Sequence, residues 1–241
     1  MLCFYGNRLK DNDMFSIFTI CTANYKEALL LTLPSWLALD TLEGVYVYTD
    51  FSLDYPDDRV VFIQNIKRSD DWLYIVGLKA ILLKDFIQRS PCMYFAFIDA
   101  DCYIKSDISG VFDKDFDIAP TRMKVKGRAA NSGVWFCKLS DRLMKFAKEW
   151  ASLQEKYRKQ GMGVVKHVSS YSQRSFSDIL HRELAHHTYL FVHPLSADVY
   201  NNEDDYIDRW INRLKQHPAK IIHFKGRKWQ DKAIVEKILS L

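Results

Sequence analysis

The stretch "MYFAFIDADCYI", residues 93–104, decides the fold. Six apolar residues, Met93 to Ile98, end abruptly in Asp99-Ala100-Asp101. A strand with one wet face alternates apolar and polar residues, and this one does not. It suits the centre of a parallel sheet covered by helices on both faces. In such sheets ligands bind beyond the carboxyl ends of the strands, which is where the two acids lie. Acids one residue apart on an extended chain point to opposite sides, but a turn at the strand end lets both converge on one cation. One reading of an Asp-x-Asp is a solvated turn capped by its own side chains. The other is a site for a hard divalent ion, Mg²⁺ or Mn²⁺, bound through carboxylate oxygens. The apolar strand favours the second, because unpaired charge at a partly buried edge is costly.

The same pattern extends along the chain. Strands are expected at 15–21 ("FSIFTIC"), 44–50, 59–64, 116–120 and 132–138, with late strands in "YLFVHP" and "KIIHF". Helices are expected over 25–39, with Pro34 as a kink or early stop, and over 71–90, 140–160, 176–185 and 230–241. Strands alternating with helices predict an α/β domain with a mostly parallel sheet. Thr22-Ala23-Asn24, Asp50 and Asp99 all follow strand ends, so one crevice can collect them.

Three other segments carry chemistry. In "IIHFKGRKW" (221–229), His223 ends an apolar strand, Gly226 permits a tight turn, and Lys225, Arg227 and Lys228 supply charge suited to phosphate. In "NSGVWFCKLS" (131–140), Asn131-Ser132-Gly133 is a small polar turn entering a strand. In "DWLYIVGLKAILLKDFI", Lys79 falls within the apolar stripe formed by Trp72, Ile75, Val76, Leu83 and Phe86. Its ammonium either snorkels to solvent or reaches over the sheet edge toward an acid or phosphate.

The whole chain sets bounds on these readings. Its 241 residues suit one domain, and 48% hydrophobic with 27% charged residues is a globular composition. No apolar run approaches the ~20 residues of a membrane span, and "MLCFYGNRLKDND" lacks the apolar core of a signal peptide. Five cysteines without a CxxC spacing argue against a disulfide framework or a zinc site. A cytoplasmic, reducing location is the expectation. The formal charge of +4 permits an anionic partner without demanding one.

Taken in order, Thr22-Ala23-Asn24, Asp99-Ala100-Asp101, Asn131-Ser132-Gly133 and His223-Phe224-Lys225-Gly226 resemble the motifs of nucleotide-sugar glycosyltransferases of the GT-A fold, and most of all the family 8 type of glycogenin and galactosyltransferase relatives. The resemblance spans roughly residues 15–229. It implies a single Rossmann-like nucleotide-binding domain over 1–241, with a mostly parallel mixed sheet flanked by helices. The donor would bind in about 15–140, and the acceptor or closing part would be about 141–241. Asp99 and Asp101 would hold Mn²⁺ (or Mg²⁺) with His223 as third ligand, Asp99 also lying near the ribose. Thr22, Asn24 and Tyr25 would meet the base, with Asp50 at the next strand end. Gly226 and Lys228 would meet the diphosphate, with Lys79 as a further cation. Asn131 and Ser132 would border the donor sugar.

The pattern also departs from the family. Lys228-Trp229 come one residue early and lack the usual proline. Where an Asp-Gln pair should open a late helix, Asp178 is the surviving acid and Ser177 replaces the glutamine. Asp178 is the candidate base should the reaction invert, and retention is the expectation the resemblance carries. The donor would be a nucleotide-diphosphate sugar, a UDP-sugar. The cations of "RMKVKGR" (122–128) suggest an anionic acceptor such as a glycan, a lipid carrier or DNA, and "EKYRKQGMGVVKH" (155–167) suggests a lid. The rival classes are a nucleotidyltransferase, which would favour a glycine-rich loop that "CTANYKEA" lacks, and a non-catalytic sugar-binding domain.

Overall fold

The computed structural model describes residues 14–69, 72–89, 92–122, 130–161, 170–204, 206–226 and 228–241. Strand β1 (Phe15–Cys21) leads into helix α1 (Lys26–Leu37), followed by β2 (Leu42–Thr49), β3 (Val60–Gln64), α2 (Trp72–Arg89), β4 (Tyr94–Ile98) and β5 (Cys102–Ile104). Then come β6 (Ile118–Thr121), β7 (Asn131–Lys138), α3 (Asp141–Lys159), α4 (Tyr171–His186), α5 (Ala197–Tyr200), α6 (Ile207–Gln216), β8 (Ile221–His223) and α7 (Lys232–Leu239). Six strands form one sheet in the order β3-β2-β1-β4-β7-β6. The pairs β3–β2, β2–β1 and β1–β4 are parallel, while β7 is antiparallel to both neighbours. The sheet is therefore mixed, and mostly parallel as expected.

Both faces are buried, which explains the composition of the central strands. Along β1, Phe15, Ile17 and Cys21 join one core cluster with Leu29, Leu33 and Trp36 of α1. Phe18 and Ile20 join the other, with Leu83 and Phe86 of α2 and Trp150 of α3. In β4, Ala96 and Ile98 face the first cluster, while Phe95 and Phe97 face the second. Cys21 and Cys137 are small buried hydrophobes, as expected. A third cluster, with Trp210, Phe224, Trp229 and Val235, seats the C-terminal segment against Ala28 of α1.

Several expectations need correction. Of the two expectations for Pro34, the early stop is overturned: α1 runs through it to Leu37. The carbonyl it strands is that of Leu30, an exposed residue, so water can satisfy it. Helix α4 begins at Tyr171, earlier than 176, because Ser170 caps it by accepting from the Gln173 amide. "YLFVHP" forms only one isolated bridge, Val192 to Ile118, and with Leu195 just beyond it bridging to Thr121 it covers the outer edge of β6. "KIIHF" does not enter the main sheet. As β8 it pairs with β5 in a separate two-stranded sheet. The sequence reading assigned no element to β5, α5 or α6.

Candidate active site

The crevice forms at the carboxyl edge of the parallel strands. β4 delivers Asp99, whose backbone N–H donates to the Gly133 carbonyl at 2.9 Å. Because β7 runs antiparallel to β4, its first residues, Asn131 to Gly133, lie at this same edge. Gly133 is glycine for lack of space. A Cβ there would lie 2.8 Å from Asp99 Oδ2, 3.1 Å from Asn131 Oδ1 and 3.2 Å from the His223 ring. Those three side chains therefore converge on one point.

The small β5–β8 sheet brings in the histidine. Cys102 pairs with His223, and the Phe224 N–H donates to the Asp101 carbonyl at 2.9 Å. This register sets His223 Nε2 3.2 Å from Asp101 Oδ1. The Nδ1 side faces Asn201 Oδ1 at 2.9 Å and Glu203 Oε2 at 3.3 Å. Lys79 reaches over the sheet edge from α2: its Nζ donates to Asp99 Oδ1 at 2.8 Å and to the Ser132 carbonyl at 2.9 Å, and lies over the Phe97 ring.

These charges are unevenly matched. Burial lifts the Asp99 carboxyl above its usual range despite the pull of Lys79 and His223. Burial also opposes ionisation of Asp101, but the neighbouring His223 outweighs it and holds the carboxyl low. Burial works against a charged His223, yet Asp101, Glu203 and Asp99 together push the imidazole up to about 9. With His223 neutral, three carboxylates face two ammoniums, Lys79 at Asp99 and Lys225 at Glu203, which leaves an excess of negative charge at Asp101 suited to a divalent cation.

The donor set fits such an ion. Ligand atoms of Asp101, Cys102 and His223 lie within 4.8 Å of one another. The Cys102 thiol is fully buried in the first core cluster, and burial, then Asp101 and Asp99, push it well above its ordinary range. It stays protonated and is a poor ligand for a hard ion. Asp101 and His223 remain, with Asp99 across Gly133. Adjacent ligands of an octahedral ion with bonds of about 2.1 Å lie about 3.0 Å apart, close to the observed Asp101–His223 spacing. Carboxylate with imidazole favours Mn²⁺ over Mg²⁺.

The other sequence-predicted residues divide. Asp50 Oδ1 accepts from the Ala23 N–H at 2.8 Å, tying the first loop to the end of β2. In that loop the Thr22 carbonyl accepts from the Tyr25 N–H at 2.8 Å, Asn24 is exposed, and the Tyr25 ring lies 6.1 Å from that of Trp229. Asn131 Oδ1 accepts from the Gly133 N–H at 2.7 Å. Gly226 has φ +70 with open space around it, so the turn itself requires glycine. Lys228 is not brought to the carboxylates: its ammonium donates to the Asp204 carbonyl and covers the Trp210 ring.

Asp178 is a correction. Its carboxylate accepts from the Tyr157 hydroxyl of α3 at 2.7 Å and faces Arg174, about 140° around α4 from Gln173. It is Gln173 that meets the crevice: its Oε1 accepts from the Ser132 N–H at 3.0 Å and hydroxyl at 2.8 Å. Gln173, Asn201 and Glu203 are the site residues that the sequence reading missed. Starting α4 at its Ser170 cap was the signal for Gln173. Of the basic patch, Arg122 is described and exposed, while 123–129, 162–169 and Arg227 lie outside the described residues.

A doubly covered mixed sheet of this order, with acids at its carboxyl edge and a two-stranded flap carrying the histidine, is the GT-A fold. Known structures agree. The chain is similar to the glycosyltransferase GlyE of Streptococcus pneumoniae TIGR4 at TM-score 0.58 and 13% identity, over 95% of this chain and 61% of that one. It is similar to the galactosyltransferase LgtC, solved in complex with donor and acceptor sugar analogs, at TM-score 0.58 and 13% identity, over 94% of this chain and 96% of that one. A glycosyltransferase involved in glycosylating the major capsid of PBCV-1 matches at TM-score 0.57 and 9% identity, over 92% of this chain and 99% of that one. The chain thus spans about three fifths of GlyE and nearly all of the other two. No family model and no curated protein sequence matches it. At these identities the likeness establishes the fold.

Proposed function

We propose that this protein is a metal-dependent glycosyltransferase that moves a sugar from a nucleotide-diphosphate sugar, a UDP-sugar, to an acceptor hydroxyl. One observation carries the reading: Asp101 and His223 at ligand spacing, with Asp99 beside them, at the ligand-binding edge of a GT-A fold. Asp101, His223 and Asp99 would hold Mn²⁺, which supplies Lewis-acid stabilisation to the departing diphosphate. Lys79, fixed over Phe97, adds positive charge where negative charge develops. The first loop, braced by Asp50, receives the nucleoside, and Asn131 and Ser132 border the sugar. Gln173 holds that border in place: its Oε1 is taken by Ser132, and its Nε2 donates to the Ala130 carbonyl and to Ser177.

The reaction retains configuration on this reading. Among the described residues, the carboxylates at the crevice are already engaged: Asp50 with Ala23, Asp99 with Lys79, Asp101 and Glu203 with His223. The adjoining stretches 123–129 and 162–169 contain no Asp or Glu. A retaining transfer needs no strong base, so the loss of Asp178 from the crevice does not disable it. Exposed Arg122 and the cations that follow it in the sequence support an anionic acceptor, whether glycan, lipid-linked or DNA. No described helix is long and apolar enough to cross a membrane, and the four described cysteines form no disulfide with one another, which supports a reducing, cytoplasmic location.

Thermal shift with UDP and Mn²⁺, added together and separately, tests the reading. A shift larger than the sum of the separate ones is expected, followed by hydrolysis of one UDP-sugar in a donor screen. A nucleotidyltransferase would instead release pyrophosphate from nucleoside triphosphates. A sugar-binding domain would respond to sugar without Mn²⁺.

A further inference from the structure

The two edges of the main sheet end differently. Along β6 the backbone of 191–195 seals the edge. His193 and Leu195 donate to the Ile118 and Pro120 carbonyls at 3.0 and 2.9 Å, and the Phe191 and Leu195 carbonyls accept from Asp117 and Arg122. At the other edge, β3 pairs only with β2 among the described residues. The Arg59 carbonyl accepts from the Val45 N–H at 2.8 Å, so the odd-numbered residues of β3 turn their backbone groups to β2 and the even-numbered ones turn theirs outward. The Val60 N–H is taken by the Asp57 carbonyl at 3.1 Å. The Val60 carbonyl and both backbone groups of Phe62 and Gln64 face outward with no backbone partner among the described residues. Sheets blunt such an edge with lysine, proline or a bulge. "VVFIQN" (60–65) has no charge and no proline, its register with β2 is regular, and Val61 is 42% exposed.

We infer that β3 is a self-association edge: a second copy of this chain pairs with it antiparallel, about a twofold axis at Phe62, and joins the two sheets into one. The outward groups are self-complementary in that register. Phe62 of one copy exchanges both backbone bonds with Phe62 of the other, and each Gln64 N–H meets the opposite Val60 carbonyl. The charges at the two ends select the same direction. Exposed Asp58, next to Asp57, precedes the strand, and exposed Lys67 and Arg68 follow it. Antiparallel pairing sets the acids of one copy beside the cations of the other, at both ends. Parallel pairing would set acid on acid and cation on cation, which is destabilising. Because 191–195 seals the β6 edge, β3 finds no open main-sheet edge on another copy except β3 itself. The contact therefore closes at two copies and does not grow into a filament. The strands of the two halves run in opposite directions, so the two crevices open at opposite ends of the joined sheet. The inference does not depend on what the crevice binds.

Sedimentation velocity on the full chain, from about 1 to 100 µM, tests this over the range expected of a small strand-to-strand interface. The wild type is expected to pass from monomer to dimer across it. Hydrogen exchange at the Phe62 amide should slow over the same range, because that N–H is bonded only in the dimer. Val61→Lys sets an ammonium beside Ile63 of the other copy and should keep the protein monomeric, with an unchanged circular dichroism spectrum. Asp58→Lys should weaken association about fivefold, since the contact occurs twice. Adding Lys67→Glu to that variant should recover most of the loss, which a merely structural role for either residue would not give. This charge pair carries the test if Val61→Lys does not fold. A wild type that stays monomeric at the top of the range overturns the inference. If its Phe62 amide is nonetheless protected at every concentration, another stretch of this chain covers the edge. A dimer indifferent to Val61→Lys and to the charge reversals uses a different face and overturns the inference equally.

Discussion

Two regions of this molecule bury carboxylates, and they do so in opposite ways. Between α3, α4 and the segment that follows them, Glu183 is fully buried and surrounded by donors: the Thr188 hydroxyl, the backbone N–H groups of Tyr189 and Leu190, and the Arg182 guanidinium. Burial alone would raise its carboxyl, but these hydrogen bonds, Thr188's first, hold it at about 2. At the crevice, Asp99 and Asp101 face mainly other charges, and burial leaves Asp99 above its ordinary range. A saturated carboxylate fixes a turn, here the left-handed cap at His187. An incompletely matched one keeps capacity for a ligand. Burial alone does not mark a functional acid; the supply of donors around it does.

This contrast predicts a double dissociation. Asp101→Asn should lower the affinity for UDP with Mn²⁺ about 1,000-fold, roughly 4 kcal/mol, while moving the melting temperature by only a few degrees. Calorimetry and thermal melts on the same preparation check it, and an unchanged affinity would break the comparison on the crevice side. Glu183→Ala should do the reverse. Stranding several donors should cost about 3 kcal/mol of stability, read as a lower urea midpoint, with unchanged UDP–Mn²⁺ affinity per folded molecule.

The Glu183 side also has a pH dependence. Its folded carboxyl is depressed to about 2 from 4.5, so its contribution is fully present above about pH 4.5 and is lost as pH falls toward 2. Urea midpoints for wild type should fall more steeply across that window than those of Glu183→Gln. Parallel slopes would show that the carboxylate is not what the donors hold.

Smaller effects sharpen the picture. Gly133→Ala should weaken UDP–Mn²⁺ binding roughly tenfold, about 1.4 kcal/mol, because the new methyl group displaces the Asp99 carboxylate and the His223 ring. The backbone at Gly133 does not need glycine, so circular dichroism should be unchanged. Arg122→Ser should reduce transfer only about threefold, some 0.7 kcal/mol, and leave donor hydrolysis intact. Loss of donor hydrolysis in this variant would move the basic patch to the donor side.

The large elements were legible in the sequence because periodicity reports burial directly. β4 is apolar at every position and proved to be covered on both faces, and Asp99, Asp101 and His223 could be read as strand-end residues. What was not legible depends on phase and pairing. β5 and β8 have three residues each, too few for any periodic signal, yet their register alone sets His223 against Asp101. Taking α4 to begin at 176 hid the placement of Gln173, and the helical phase from the Ser170 cap carries Asp178 to the Tyr157 side. Asn201 and Glu203 sit in the polar run "NNEDD", which reads as a surface loop until β8 packs beside it.

The pairing of Cys102 with His223 joins positions about 120 residues apart in the chain. Closing so long a loop comes late in folding, since its entropy must be overcome before the contact rewards it. During synthesis the strands that carry Asp50, Asp99 and Gly133 leave the ribosome well before His223 does. A nascent chain can thus build the main sheet while lacking the histidine side of the crevice. A chain truncated before residue 221 would lack the histidine side of the crevice, and with it, on the proposed reading, the Mn²⁺ site.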